Sequence, residues 1–218
     1  MKPRSARVFG WIAIQAPRRW LALGLLLMSI SLASAATTTD SGVTGGSLAG
    51  QLLIASPDMD DPRFAQTVIL MVQHSKDGAL GIIINRPVGE LSYAELLKSI
   101  GETGSAANGK VRIYAGGPVQ LNAGFVLHSR DYHRPETLDI DGRIAMTASP
   151  NVLRDIAAAK GPKKSLIAFG YAGWGPGQLE NELMRHDWYT APEDPALVFD
   201  DDRGKVWKEA MARRSQEL

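Results

Sequence analysis

Two short apolar runs separated by a tight-turn signal constrain the fold of this chain more than any other feature. The runs are Thr67–His74 and Ala79–Asn85, both rich in β-branched and aliphatic residues, and Asp77-Gly78 lies between them. Asp-Gly in this position is a strong β-hairpin signal, because the turn needs positive φ angles that glycine adopts readily. The sequence therefore predicts that the folded part begins as antiparallel sheet.

The rest of the chain alternates short predicted strands with short predicted helices. A capping box, Ser92 followed by Glu95, predicts a helix over 93–100, and Ser149-Pro150 predicts a second one through Ala159. Further helices are predicted over 178–186 and 205–214, and further strands over 51–55, 111–114, 125–128, 144–147, 165–171 and 196–199. These elements indicate one domain that contains both strands and helices.

An apolar segment near the N-terminus has the three-part plan of a secretory signal. The uncharged run Trp20–Leu32 follows Arg18-Arg19 and precedes Ala33-Ser34-Ala35, and it is shorter than the roughly 20 residues of a spanning helix. We predict a signal peptide over 1–35 and a flexible linker, rich in Thr, Gly and Ser, over 36–47. The alternatives are an uncleaved membrane anchor and upstream sequence translated from a wrong start codon.

Charge and composition argue against several classes of function. Without the five basic residues of the predicted leader, 19 of the 24 basic residues remain against 23 acidic ones. This mildly acidic body lacks the basic face that phosphate-driven nucleic-acid binding needs, and we find no direct nucleic-acid signature. Because the chain has no cysteine, it has neither a disulfide framework nor a thiol nucleophile.

Two segments place hydrogen-bond donors or bare backbone at predicted strand ends. Asn85 and Arg86 end a buried strand, where an amide and a guanidinium can present donors to an anion. The alternative is that Arg86 caps carbonyl groups or pairs with an acid. Gly116, Gly117 and Pro118 offer exposed backbone in the same way, with a simple turn as the alternative.

A third segment joins a predicted strand to a predicted helix. Gly173, Trp174, Gly175 and the following residues would let a ligand approach the backbone, and the helix amides could receive an anion. The spacing is G-x-G-x-G and not that of the dinucleotide fingerprint. In addition, no parallel βαβ unit surrounds the segment. The alternative is a tight turn with Trp174 covering the core.

No metal, cofactor or catalytic residue is assigned from the sequence. The four histidines are dispersed, the acidic cluster Asp58, Asp60 and Asp61 lacks EF-hand spacing, and there is no G-x-S-x-G elbow.

Five segments, in this order and spacing, closely resemble the YqgE/AlgH family of bacterial proteins. They are LLIASPDMDDPRFAQTVILMVQH (52–74), GALGIIINRPVG (78–89), YAGGPVQ (114–120), GFVLHS (124–129) and FGYAGWGPGQLENEL (169–183). The resemblance implies an α+β fold over 48–218, a single compact domain with a mixed, largely antiparallel sheet flanked by helices.

The resemblance carries motif positions but no catalytic residues. The family's biochemical function is unsettled, and its members are often labelled transcriptional regulators without a recognisable DNA-binding element. The positions that match its motifs in ways that suit a ligand site are Asn85, Arg86, Gly116, Gly117, Pro118, Gly173, Trp174, Gly175, Gln178 and Glu180.

The predicted leader departs from the family, whose members usually resemble leaderless cytosolic proteins. If the leader is real, the protein is periplasmic, or anchored in the inner membrane where the leader stays uncleaved. If it is a start-site error, the protein is cytoplasmic, and a regulatory role in transcription is compatible with that location.

Three functions are consistent with the sequence. The preferred one is a non-catalytic regulatory or ligand-binding protein in which the three motif segments share a pocket for a small anion or polar ligand. The second is a hydrolase-type enzyme with Glu180 or one of Asp58, Asp60 and Asp61 as the base and Arg86 as the clamp. The third is a protein-interaction module with a large exposed apolar patch.

Overall fold

A computed structural model of the chain describes residues 46–102 and 108–215. Within these residues there are ten strands and five helices. The strands are β1 (Gln51–Ala55), β2 (Val68–Ser75), β3 (Gly78–Ile83), β4 (Pro87–Ser92), β5 (Lys110–Ala115), β6 (Val119–Ser129), β7 (Thr137–Asp139), β8 (Ile144–Thr147), β9 (Ser165–Trp174) and β10 (Trp188–Pro192). The helices are α1 (Tyr93–Ser99), α2 (Asn151–Ala157), α3 (Gln178–Met184), α4 (Pro195–Val198) and α5 (Val206–Ala212).

One mixed sheet, mostly antiparallel, forms the centre of the domain. Its strand order is β10-β1-β2-β3-β9-β6-β8-β7, and the predicted hairpin is confirmed, with Ser75 opposite Gly78. β5 pairs with β9 in parallel and with β4 in antiparallel orientation. The predicted α+β class, a single compact domain with a largely antiparallel sheet flanked by helices, is confirmed.

The helices cover both faces of the sheet, which explains why the strands are continuous apolar runs. Along β1, Leu52 and Ile54 face a core that also contains Val206 of α5, whereas Leu53 faces a second core with Leu179 of α3. Successive side chains of a strand point to opposite faces, so two covered faces require apolar residues at every position. The helices α1 and α2 cover a third cluster, near β5 and β9.

One predicted strand is wrong. Residues 196–199 were expected to be extended, but Pro195–Val198 forms the short helix α4. Asp194 caps this helix by accepting a hydrogen bond of 2.8 Å from the N–H of Ala196, and Pro195 takes the first helical position. A short apolar run does not distinguish a buried strand from a buried helix, and here the cap decides.

The strands β4, β7 and β10 were not predicted. Most of β4 is exposed, and β7 has only three residues, so neither carries a strong apolar pattern. β10 lies at the edge of the sheet beside β1 and ends at Pro192. Proline tolerates such an edge position because its missing N–H costs no sheet hydrogen bond there.

The predicted signal peptide and nearly all of the predicted linker lie outside the described residues. Among the residues that the structure does describe, no helix has both the length and the apolar character needed to cross a membrane.

Candidate functional site

The structure places the three predicted motif segments at three different positions. Asn85 and Arg86 line one cavity, Gly173, Trp174 and Gly175 line another, and Gly116 and Gly117 are buried within the sheet. The segments therefore do not surround one shared pocket. Whether any of these residues binds a ligand stays a prediction.

Asn85 and Arg86 hold the loop before β2 against the end of β3. The side chain of Asn85 accepts a hydrogen bond from the N–H of Val68 and donates one to the carbonyl of Gln66, both at 2.9 Å. Arg86 donates from Nη2 to the carbonyl oxygens of Pro62 at 3.2 Å and Ala65 at 2.8 Å. Carbonyl capping, the alternative stated for Arg86, is what the structure shows.

These two residues also line a cavity of about 370 Å³, which we call the cationic cavity. Its lining residues are Ala65, Gln66, Asn85, Arg86, Pro87, Arg203, Gly204, Trp207 and Lys208. Three of the nine are basic, and within the described part of the chain none of the lining residues is acidic. The volume falls in the range of roughly 300–1,000 Å³ that is typical of small-molecule sites.

Arg203 is the most unusual residue of the cationic cavity, since its side chain is buried and it is only 9% exposed. Its Nε donates to the hydroxyl of Tyr114 at 2.9 Å, and its Nη1 donates to the carbonyl of Val198 at 2.8 Å. The guanidinium also lies 5.0 Å from the centre of the Tyr114 ring. These contacts fix the group in place and leave Nη2 without a protein acceptor among the described residues.

The three basic side chains of the cationic cavity are not neutralised by the protein. In residues 46–102 and 108–215, no carboxylate oxygen lies within 4.0 Å of Arg86, Arg203 or Lys208. Asp200, close to Arg203 in the sequence, instead pairs with Lys205 at 3.3 Å. Three basic side chains and no acidic one among the described residues that line the cavity give it a positive charge, which favours an anion.

Backbone strain marks the same cavity. Gln66 has a φ of +56°, in the left-handed region that residues other than glycine seldom adopt. Strained residues of this kind cluster at ligand sites, where surrounding contacts hold them. Here the hydrogen bond from Asn85 to the carbonyl of Gln66 supplies such a contact.

Arg203, Trp207 and Lys208 were missed by sequence reasoning. They lie in and just before α5, far along the chain from Arg86, and no local spacing joins the two segments. The prediction of an amphipathic helix over 205–214 came closest to them. Trp207 is held in position by its indole N–H, which donates to the carbonyl of Ala55 at 2.9 Å. This hydrogen bond fixes α5 to β1.

Gly116 and Gly117 have a structural role. This agrees in part with the alternative given above, that the segment is a simple turn. The N–H of Gly116 donates to the carbonyl of Phe169, and its own carbonyl accepts from Ile83, so backbone from three strands converges there. A Cβ at Gly116 would collide with the carbonyl oxygen of Gly170, and one at Gly117 with the backbone of Tyr171. Pro118 follows, half-buried.

The Gly173 segment lines a larger cavity, of about 890 Å³, which we call the hairpin cleft. The cleft lies between the β2–β3 turn and the end of β9, and its lining includes His74, Asp77, Gly173, Trp174 and Gly175. Its lining contains two aspartates and no lysine or arginine among the described residues. This charge suits an anion poorly, unlike the cationic cavity.

Side chains near Gly173 are occupied by internal contacts. The indole N–H groups of Trp174 and Trp188 both donate to Oε2 of Glu182 at 2.8 Å. Gln178 accepts from the N–H of Gly175 at 3.1 Å and donates to Oε1 of Glu182 at 2.9 Å. Trp174 is 7% exposed and covers the core, in line with the turn alternative.

Glu180 accepts a hydrogen bond from His74 and is not an open base. Its Oε1 lies 2.9 Å from Nε2 of His74, whose Nδ1 accepts from the N–H of Leu48 at 3.0 Å. Since Nδ1 is an acceptor, Nε2 carries the hydrogen that it donates to Glu180. A backbone N–H at the start of the helix and the His74 side chain lower the pKa of Glu180.

The other carboxylates considered as bases give no better catalytic geometry. Asp61 is held by the guanidinium of Arg63, whose hydrogen bonds lower the pKa of that carboxyl. Asp58, Asp60 and Asp61 line a third cavity, on the α3 side of the sheet, together with Glu182. Arg86, named as the clamp, lines a different cavity.

Among the residues that the structure describes, the carboxyl group with a strongly raised pKa is that of Glu193, directly after β10. Its side chain is fully buried, and Arg143 Nε lies 2.6 Å from its Oε1 but without hydrogen-bond alignment. Burial first, and then the neighbouring carboxylate of Asp141, raise the pKa of Glu193 to about 8, against the attraction of Arg143. Glu193 lines neither the cationic cavity nor the hairpin cleft.

Comparison with known proteins gives consistent matches over this domain. A family model described as AlgH-like matches residues 52–218. A UPF0301 protein of Jannaschia sp. is 49% identical over 166 residues, covering 75% of this chain and 86% of that protein. A UPF0301 protein of Rhodospirillum rubrum is 44% identical over 168 residues, covering 77% and 88%.

Two solved structures are similar as well. The solution structure of the AlgH protein from Pseudomonas aeruginosa has a TM-score of 0.67 at 43% identity, covering 84% of this chain and 92% of that one. A crystal structure of a Corynebacterium diphtheriae protein has a TM-score of 0.62 at 22% identity, covering 77% and 87%. The second likeness concerns the fold alone.

Proposed function

This chain belongs to the AlgH-like family, as its motifs predicted, and on that premise we propose that it is a non-catalytic regulatory or ligand-binding protein that binds a small oxyanion in the cationic cavity. One observation carries the proposal: Arg203 is buried, fixed in position and without a carboxylate partner in the described residues. Two further basic side chains, Arg86 and Lys208, line the same space.

The energetics of an unpaired guanidinium explain why such a cavity would bind an anion. Removing a charge from water costs several kcal/mol after relaxation, by order of magnitude, unless an opposite charge and hydrogen bonds compensate. An oxyanion beside Nη2 of Arg203 supplies both, and charge-assisted hydrogen bonds of this type are about twice as strong as neutral ones. Nη2 of Arg203 is not a fully buried, unpartnered atom among the described residues, so a bound oxyanion replaces water there and adds these charge-assisted hydrogen bonds.

Binding is favoured over hydrolysis by the state of the carboxylates. A general base for neutral pH needs a raised pKa and an open approach to substrate, whereas the pKa values of Glu180 and Asp61 are lowered by their partners. Glu193 has the raised pKa but lies buried outside both cavities.

An interaction module is supported less well. It calls for a contiguous exposed apolar patch. The large apolar side chains that are exposed in the described residues are Val88, Leu121 and Met184, on the separate elements β4, β6 and α3.

For the cellular compartment we keep the proposal that follows from the leader. With the leader cleaved, the binding domain acts in the periplasm and does not meet DNA. With a later start, it acts in the cytoplasm, where ligand binding fits a regulatory role.

Calorimetric titration of the full chain with inorganic phosphate at low ionic strength tests the proposal. We expect saturable one-to-one binding that weakens as salt rises, because exposed charges at the cavity mouth are screened. Lys208→Met should weaken binding about fivefold, equivalent to roughly 1 kcal/mol. The matched control is Lys98→Met, which removes an exposed lysine of α1 outside the cavity and should leave the affinity unchanged.

A second variant replaces Arg203, the residue on which the proposal mainly depends. Arg203→Gln keeps hydrogen-bonding capacity toward Tyr114 and removes the charge, and it should abolish phosphate binding while thermal unfolding shows that the domain is folded. Phosphate that does not bind the wild-type chain, or binds Arg203→Gln and Lys208→Met as tightly as wild type, would refute the proposal.

A further inference from the structure

The shape and lining of the cationic cavity point beyond a simple anion. We infer that its ligand is a phosphate monoester that carries a flat ring, of about the size of a mononucleotide. The inference rests on the proposed function, because it assigns the phosphate group to the basic side chains and the ring to Trp207. Three observations carry it.

The first observation is volume. The cavity measures about 370 Å³, within the range of roughly 300–1,000 Å³ in which small organic ligands bind. Inorganic phosphate has only five heavy atoms and leaves most of this space unfilled. A ligand that fills the cavity therefore extends well beyond its anionic group.

The second observation is the position of Trp207. Its indole N–H is bound to the carbonyl of Ala55, and part of the ring packs against the core beside α5. Trp207 is half-buried, and it is one of the residues that line the cavity. A fixed aromatic surface loses little entropy on binding, and flat rings of ligands stack on such surfaces.

The third observation is the distribution of polar groups. Arg203 and Lys208 flank Trp207 in sequence and line the same cavity, which places the positive charges next to the aromatic surface. Gln66 also lines the cavity, and its side-chain amide makes no hydrogen bond within the described residues. An amide with a free donor and acceptor suits the polar edge of a heteroaromatic ring.

The test compares four probes on the full chain: inorganic phosphate, ribose 5-phosphate, phenyl phosphate and adenosine 5′-monophosphate. Ribose 5-phosphate is the matched probe, because it has the sugar and the phosphate but no flat aromatic ring. We expect adenosine 5′-monophosphate to bind at least about fivefold more tightly than ribose 5-phosphate, and phenyl phosphate more tightly than inorganic phosphate.

Two readouts assign the preference to Trp207. In wild-type protein, the NMR signal of the Trp207 indole should shift with the two aromatic probes and much less with ribose 5-phosphate. Trp207→Leu should remove the preference for aromatic probes and retain phosphate binding. If Trp207→Leu fails to fold, Trp207→Phe keeps a flat ring without the N–H and should retain a reduced preference.

The outcomes separate the inference from the proposed function. If ribose 5-phosphate and adenosine 5′-monophosphate bind equally, the inference is overturned and anion binding stands. If the aromatic preference persists in Trp207→Leu, the ring lies elsewhere and the inference is likewise overturned. If none of the four probes binds, both the inference and the proposed function are overturned.

Discussion

Replacing Glu193 by glutamine should change how the stability of the domain depends on pH. The carboxyl group of Glu193 is fully buried, and burial together with the carboxylate of Asp141 raises its pKa from 4.5 to about 8. Asp194 adds repulsion, and only Arg143 opposes the shift. The folded protein therefore keeps the proton of Glu193 at neutral pH, whereas the unfolded chain releases it.

The sign and size of the effect follow from linkage. Because the pKa of Glu193 is raised in the folded state, its contribution to the free energy of unfolding is fully present below pH 4.5. This contribution is lost as the pH rises toward about 8. At 1.36 kcal/mol per pKa unit, the loss reaches about 3 kcal/mol at pH 7 and about 5 kcal/mol above pH 8, as upper values. Glutamine does not ionise, so the stability of Glu193→Gln relative to wild type should grow over this pH interval.

Urea unfolding, followed by tryptophan fluorescence at pH 5, 6, 7 and 8, measures the difference between variant and wild type at each pH. Taking the difference cancels the contributions of other groups, such as His128, whose pKa is lowered mainly by burial. Glu90→Gln on the exposed face of β4 controls for the loss of one carboxylate. A difference that stays constant from pH 5 to pH 8 would mean that Glu193 is ionised in the folded state, paired with Arg143.

Three further predictions concern the loop, the glycine junction and the leader. Asn85→Ala should lower the free energy of unfolding by about 1–3 kcal/mol, measured by urea titration, because the N–H of Val68 loses its buried acceptor; an unchanged midpoint would contradict it. Gly116→Ala should cost more than about 3 kcal/mol, since its Cβ meets the carbonyl of Gly170, and a stable variant by thermal unfolding would refute this. N-terminal sequencing of protein from fractionated cells should find a start near Ala36 in the periplasmic fraction; an intact chain in the cytosol would exclude cleavage.

The elements that follow from the sequence are those with strong local signals. Asp77-Gly78 fixes the β2–β3 hairpin, and the capping box of Ser92 and Glu95 is formed in the structure with both of its hydrogen bonds. The strand predicted over 196–199 was wrong because a run of four apolar residues is too short to show a helical or a strand period. The Asp194 cap and Pro195 favour a helix there.

The candidate site was predictable only in part. Asn85 and Arg86 were identified as donors at a strand end, but their main contacts proved to be with the loop before β2. Arg203 gave no local signal, because its significance comes from burial and from the lack of an ion pair with any described carboxylate. Such properties depend on how α5 packs against β1, and a single sequence does not encode them in any spacing.

The most direct test of anion binding in the cationic cavity is an NMR titration of the full chain with inorganic phosphate. We expect saturable shifts concentrated at the Trp207 indole, the Arg203 side chain and the amides of Gln66 and Gly204. Shifts centred on Gly173–Gly175 in the hairpin cleft, or no shifts at millimolar phosphate, would contradict it.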